Sequence, residues 1–203
     1  GGQTLSLQAD HVWSTIPITT LIRCLRPSPP PECLQSVERL DYRAMILIYL
    51  VLEQDRFSEY DAHYFPGADI PITRLSEPKN YGSTQGVSDH TVLCAELPCT
   101  PDGVEWQQGD DELGQLVCRS LELAGIPVRT PVKRVVTRRL RQAYPIYRRG
   151  YEADFDRLDR WIDQFGGLLT FGRQGLFVHD NTHHALYMGY AAADCLGEDG
   201  RFG

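Results

Sequence analysis

The residues best suited to chemistry lie between positions 168 and 196. A short apolar run, Leu168-Leu169-Thr170-Phe171, stops at Gly172-Arg173 and is punctuated again by Gly175. It then passes a polar patch at Asp180, Asn181 and Thr182 and enters a helix-periodic segment. The pattern predicts a strand, a turn and the start of a helix. A helix start gathers unpaired backbone N–H groups and the positive end of the dipole, which suits a phosphate, a carboxylate or an anionic ring system. Gly172 and Gly175 would let backbone approach a ligand closely, and Arg173 could pair with its oxygens. The plainer alternative is a strand-to-helix connection with Asp180 or Asn181 as N-cap.

Three further groups could do chemistry. His179 and His183 are four residues apart, as in metal-binding helical pairs, but no glutamate of an H-E-x-x-H pattern accompanies them and no third ligand has a matching spacing. No metal is expected; hydrogen bonding or capping is the favoured role for His179, His183 and His184, with proton transfer the lesser alternative. Lys133, Arg134, Arg138, Arg139, Arg141, Arg148 and Arg149 form a basic stretch without an acidic residue. It reads either as a solvated strand face with salt bridges to the acidic helix that follows, or as the wall of an anionic-substrate site in which Tyr144 and Tyr147 stack and hydrogen-bond. Finally, Arg74, Glu77 and Lys79 either place Arg74 in a pocket or decorate an exposed edge strand.

The elements that must position these groups follow from the rest of the chain. Weak alternation at 4–7 and an apolar run at 9–17 closed by Pro17 predict two short strands. Pro29, Pro30 and Pro31 before Glu32 open a helix with Cys33, Leu34, Val37 and Leu40 on its buried face, ending near Leu40. The run 44–52 is the most apolar in the chain and predicts a central, fully buried strand. From 57 to 89 the composition turns to loop residues, with a strand at 70–75 and a flexible stretch at 81–88, a candidate substrate wall. A strand at 90–97 ends before Pro98. Asp110 caps an amphipathic helix that buries Leu113, Leu116, Val117, Leu121 and Ala124 and stops at Gly125. A strand at 132–144 ends before Pro145. Tyr151, Phe155, Leu158, Ile162 and Phe165 mark a second strong helix between Gly150 and Gly166. This irregular alternation predicts an α+β fold.

The 203 residues suffice for one substantial core or two small domains. A formal net charge of −7 sets the chain against general nucleic-acid binding, so no nucleic acid is expected as a partner. No run approaches the roughly 20 apolar residues of a membrane helix, and a cytoplasmic location is expected. Six cysteines without C-x-x-C spacing read as reduced, mostly buried thiols. The opening Gly-Gly-Gln-Thr, without methionine, raises the expectation of a fragment or processed chain.

Ser14-Thr15-Ile16-Pro17, Thr73-Arg74 with Glu77 and Lys79, Tyr144-Pro145, and Gly172-Arg173 followed by Asn181-Thr182 and Gly189 occur in an order that resembles the C-terminal half of FAD-dependent oxidoreductases of the UDP-galactopyranose mutase, protoporphyrinogen oxidase and amine oxidase superfamily. The resemblance spans nearly the whole chain. It implies a mixed, mainly antiparallel sheet forming a substrate domain with packed helices, plus the last strand and helix of a Rossmann-type FAD-binding domain. In the implied division, residues 1–18 are returning strands of the FAD-binding domain, 19–165 the substrate-binding domain, and 166–203 the strand and helix that complete the flavin site. The chain holds no G-x-G-x-x-G, so the N-terminal FAD-binding region would be supplied elsewhere.

By that resemblance FAD is the cofactor, with Gly172 and Arg173 near its phosphates and ring. Asn181, Thr182 and His183 would face the ribityl chain and the pyrimidine edge of the flavin. Arg74 and Tyr144 would line the side that takes a small, anionic or sugar-nucleotide substrate, to which the reading of the basic stretch as a binding wall adds Tyr147. The mutases carry an acidic residue and a methionine where this chain has Asn181 and Thr182. The implied activity is substrate oxidation by hydride transfer to flavin or a flavin-dependent sugar-nucleotide rearrangement. The alternative is a non-catalytic module that binds an anionic ligand or partner through the basic stretch 133–149.

Overall fold

The computed structural model describes residues 4–82, 89–198, 200 and 202. In chain order the elements are β1 (Val12–Ser14), α1 (Ile18–Cys24), α2 (Pro31–Arg39), β2 (Asp41–Leu52), β3 (Ala62–Tyr64), β4 (Arg74–Ser76), a 3-10 turn (Pro78–Tyr81) and β5 (Thr91–Cys99). There follow α3 (Val104–Gln107), α4 (Asp110–Leu123), β6 (Val132–Ile146), α5 (Tyr151–Ile162), β7 (Leu168–Thr170), α6 (Gly172–Gly175) and α7 (Thr182–Asp194). The expected mixture of helices with a mainly antiparallel sheet is present. The chain divides into two compact units: one of Gly1–Tyr42 with Tyr144–Gly203, the other Arg43–Ala143.

The Arg43–Ala143 unit is built on a five-stranded sheet in the order β3-β4-β5-β2-β6, antiparallel from β3 through to β2. Alternation along β2 sends Ala44, Ile46, Ile48, Leu50 and Leu52 to one face, where they meet Leu93, Ala95 and Leu97 of β5 and Leu113, Val117 and Leu121 of α4 in one core. Each of the leucine, isoleucine and valine side chains contributes about 1.5–3 kcal/mol by leaving water. The run predicted as a central strand is therefore β2, flanked by β5 and β6.

Two strands run further than their prolines suggest. β5 continues through Pro98 to Cys99. The Glu96 carbonyl faces the β4 side, where it accepts the Thr73 N–H at 2.9 Å, and Pro98, two residues on, shares that orientation beyond the end of β4. Its missing donor thus falls on an open edge. β6 likewise passes through Pro145, as the outermost strand of the sheet. The strand expected at 70–75 is reduced to β4, at 74–76. The helix expected to be capped by Asp110 has Gly109 as its cap, whose N–H donates to Glu112 at 2.8 Å; Asp110 is the first helical residue, and its carboxylate accepts the Thr137 hydroxyl at 2.7 Å. The flexible stretch expected at 81–88 lies, from Ser83 on, outside the described residues.

The other unit packs α1, α2 and α5 around Ile18, Leu21, Ile22, Val37, Leu158, Ile162 and Phe177. Beside this core, Asp154 accepts the Ser36 hydroxyl at 2.7 Å and Arg157 at 3.2 Å, which ties α2 to α5. Phe177 is buried and takes the left-handed backbone region with φ 52°. β1 and β7 form a separate parallel pair with Ser14 opposite Thr170. The two N-terminal strands expected from 4–17 correct to β1 alone: residues 4–9 form no element, and after Pro17 the chain turns into α1. Among the six free cysteines, Cys33 and Cys99 are buried, Cys94, Cys118 and Cys195 half-buried and Cys24 exposed.

Candidate functional site

β7 delivers the chain to Gly172 at the end of the parallel pair. Gly172 has φ 78°, a left-handed conformation that favours glycine, and a side chain built there would meet only Thr15, no nearer than 3.7 Å. The turn continues as the single helical turn α6, an element not expected from the sequence, before the polar patch leads into α7.

Arg173 is held within this unit from two sides. Its guanidinium carbon lies 4.3 Å above the Tyr144 ring centroid, and its Nε is 4.0 Å from Oδ1 of Asp180, whose side chain is 5% exposed. A cation over an aromatic face is attracted by the ring quadrupole, which holds the guanidinium at the turn. On this side the rings form a continuous series: His179 stacks with Tyr144 at 5.6 Å, Tyr147 meets His179 edge-on at 5.0 Å, and Tyr147 stacks with Tyr151 at 4.5 Å. His179 Nε2 is 2.8 Å from the Pro145 carbonyl and therefore carries a proton, while the Tyr147 hydroxyl accepts the His179 backbone N–H at 2.8 Å. His179 is thus a structural link, and His183 packs against the His184 ring at 4.0 Å. Among the described residues no group of three or more His, Cys, Asp or Glu is placed to hold a metal.

Asn181 occupies the N-cap position of α7, with its backbone N–H donating to His184 Nδ1 at 3.1 Å. Asn181, Thr182 and His183 are exposed at the helix start. Four buried polar atoms in this unit, Ser14 Oγ, Thr170 Oγ1, Arg173 Nε and Asp180 Oδ2, have no hydrogen-bond partner among the described residues. Such atoms are costly unless something satisfies them, and a ligand rich in hydroxyl and phosphate groups is able to do so. Gly172, Arg173, Asn181, Thr182, His183, Tyr144 and Tyr147 thus all fall in one compact unit.

Arg74 belongs to the other unit. On β4 it forms an ion pair with Glu96 of β5 and a hydrogen bond with Tyr64. Burial works against the guanidinium charge, but the hydrogen bonds to Tyr64 and Glu96 outweigh it and push its pKa above the ordinary arginine value. The basic stretch is largely engaged internally. Arg139 donates to the Trp106 and Gln108 carbonyls, Arg141 lies over the Trp106 ring, Lys133 meets His90, and Arg148 pairs with Asp41. These partners replace the expected bridges to α5. Glu96, the acidic partner of Arg74, was not singled out by sequence, although its alternation with buried Ala95 and Leu97 was an available signal; Asp180 was read as a candidate cap and not as the partner of Arg173.

These features define a class of fold: an antiparallel sheet unit carried between segments that form a helical unit with a parallel strand pair. No protein-family model matches the chain, and no curated protein sequence does. Among solved structures, it is similar to a reduced UDP-galactopyranose mutase (TM-score 0.68, 15% identity), over 83% of this chain and 36% of that one. It is also similar to a protein described as a protoporphyrinogen oxidase from Exiguobacterium sp. 255-15 (TM-score 0.58, 22% identity), over 82% and 36%. A third likeness, over 91% and 42%, is to a triple mutant of putrescine oxidase redesigned in its cofactor binding (TM-score 0.54, 16% identity). At these identities the likeness is one of fold, and the chain spans about two-fifths or less of the length of each.

Proposed function

We propose that this chain is the C-terminal, substrate-binding portion of an FAD-dependent oxidoreductase-like enzyme whose N-terminal FAD-binding region lies outside these 203 residues. The observation that carries the reading is the parallel pair β1–β7 with its unpartnered Ser14 and Thr170 hydroxyls, leading directly into the left-handed Gly172, Arg173 and the 13-residue helix α7. In this reading residues 1–18 and 166–203 complete the flavin domain and 19–165 bind substrate. Bound FAD would supply hydride acceptance from a small-molecule substrate, or the reduced flavin needed to rearrange a sugar nucleotide.

The chain's own residues provide binding and charge. Gly172 admits the ligand to the backbone, Arg173 offers its guanidinium to anionic oxygens, and Asn181, Thr182 and His183 present the positive end of α7. Arg74, kept charged by Tyr64 and Glu96, is assigned to anion contact on the substrate side, with Tyr144 and Tyr147 as aromatic contacts. No helix among the described residues is long and apolar enough to cross a membrane.

The full-length gene product should purify with bound flavin, and Arg173→Ala should weaken FAD binding about tenfold or more, as loss of a charge-assisted hydrogen bond does. Fluorescence titration with FAD measures this, and a colourless full-length protein that does not bind FAD overturns the reading. The rival, an anion-binding module using the basic stretch 133–149, is favoured by the exposed Arg134 and Arg138 on β6. It requires that a nucleotide or sulfated ligand raise the melting temperature of this chain while FAD leaves the full-length protein unchanged.

A further inference from the structure

We propose a second binding site, on the sheet face opposite Arg74, for a small organic oxyanion carried on an apolar body, of the aryl phosphate or aryl carboxylate type. The register of β3 with β4 separates the two faces. Tyr64 opposes Arg74 on one, and His63 opposes the fully buried Leu75 on the other. On the His63 side a cleft of about 320 Å³ opens, large enough for a single-ring ligand. Its apolar walls are Phe57 and Ile126, and its polar lining is Gln54, Ser58, His63 and Arg129.

The polar lining consists of groups able to donate. The Ser58 hydroxyl lies 3.0 Å from His63 Nε2 and 3.2 Å from the Tyr60 carbonyl, and with His63 Nε2–H donating to its oxygen it can turn its own proton from that carbonyl to a ligand. Gln54 has its carbonyl oxygen engaged by the Thr130 hydroxyl at 3.0 Å, which leaves its amide donors to offer. Arg129 is exposed and makes no ion pair or hydrogen bond among the described residues. A planar guanidinium beside neutral donors, with apolar walls, matches a phosphate or carboxylate attached to a ring.

The wall that carries Ser58 is fixed in advance. Glu77 is 2% exposed and accepts the backbone N–H groups of Phe57 at 2.8 Å and Ser58 at 3.0 Å, together with the Thr91 hydroxyl at 2.6 Å. Its charge is spent on these donors, so it anchors the loop. A site held this way loses little conformational freedom on binding.

Isothermal titration of the chain with phenyl phosphate, benzoate, inorganic phosphate and benzyl alcohol tests the proposal. Phenyl phosphate or benzoate should bind saturably, and inorganic phosphate and benzyl alcohol, lacking the apolar body and the charge respectively, should each bind about tenfold more weakly or worse. Arg129→Gln should lower the aryl-anion affinity about tenfold, Ser58→Ala by a smaller factor, and Arg119→Gln, on the exposed side of α4, not at all. Circular dichroism melts of the three variants should match the parent. Failure of both aryl anions to bind at millimolar concentration, or binding that Arg129→Gln leaves unchanged, overturns the site. Neither result bears on FAD binding through Arg173, which the separate flavin titration reads.

Discussion

Helices α4 and α7 are nearly equal in length, 14 and 13 residues, yet they solve opposite problems. α4 places Leu113, Val117 and Leu121 on one stripe and buries all three against the sheet. α7 has more apolar residues in succession, Ala185, Leu186, Tyr187, Met188 and Tyr190, but consecutive positions point all round a helix. Of its residues only Ala192 is buried, and Leu186, Tyr187 and Tyr190 are 61%, 72% and 73% exposed. Pattern decides whether a helix belongs to its own unit's core; apolar content does not. Within this chain α4 is held by burial, and α7 by its backbone ladder and its start.

The largest test of that contrast is truncation. Leu113→Ala should cost about 2–5 kcal/mol by opening a cavity in the sheet core, and Leu186→Ala less than about 0.5 kcal/mol. Urea denaturation at constant m-value reads both; equal losses would break the distinction. The mid-helix glycines provide a second test, in which the sign itself differs. A Cβ at Gly114 would stand 2.6 Å from Val135 Cγ2, whereas one at Gly189 meets nothing within 4 Å. Gly114→Ala should therefore destabilise by about 1–3 kcal/mol through overpacking, despite the better helix propensity of alanine. Gly189→Ala should stabilise by up to about 1 kcal/mol, and paired thermal melts decide the signs.

The smallest effect sharpens the comparison with a third helix. On α5, burial followed by repulsion from Asp163 and Asp156 raises the Asp159 pKa above its ordinary value. A carboxyl so raised favours folding when protonated. Its contribution is complete below the unfolded pKa and is lost as pH rises through the folded one. Asp159→Asn should thus add no more than about 0.5 kcal/mol at neutral pH, solvent screening being substantial at this half-buried site. The gain should vanish as pH falls below the ordinary carboxyl range. Denaturation curves at several pH values check this, and a gain that grows in acid would be contrary.

The elements read correctly from sequence were those with a long period and clear punctuation. α2, α4 and α5 have apolar spacing of three and four bounded by proline or glycine, and β2 has a run too apolar for a half-exposed face. α1 was hidden because Ile18, Thr19, Thr20 and Ile22 are β-branched and follow a proline, a combination that reads as extended chain. The recurrence of buried Ile18, Leu21 and Ile22 was its only helical trace. Prolines 98 and 145 were read as strand ends, since whether a missing donor faces a neighbour or an open edge depends on strand order. At the candidate site the turn at Gly172-Arg173 and the cap at Asn181 were legible because they are local. The stacking of His179 on Tyr144 and the pairing of Arg74 with Glu96 depend on distant segments returning, which no local pattern records, while the approach of Asp180 to Arg173, though close in sequence, depends on the course of the chain between them.

The pairing of β1 with β7 also sets an order of assembly. Its partners are separated by more than 150 positions, while every strand of the five-stranded sheet begins and ends between Asp41 and Ile146. During synthesis from the N-terminus the sheet can close as soon as β6 emerges, because β2 and β6, its first and last strands, are neighbours. The segment that precedes the sheet can pack α1 on α2, but the rest of its core waits for α5, and β1 waits for β7. Contacts of long sequence separation form slowly, so the inserted sheet is the early folding body, and the strand pair beneath the Gly172 turn is the last to close.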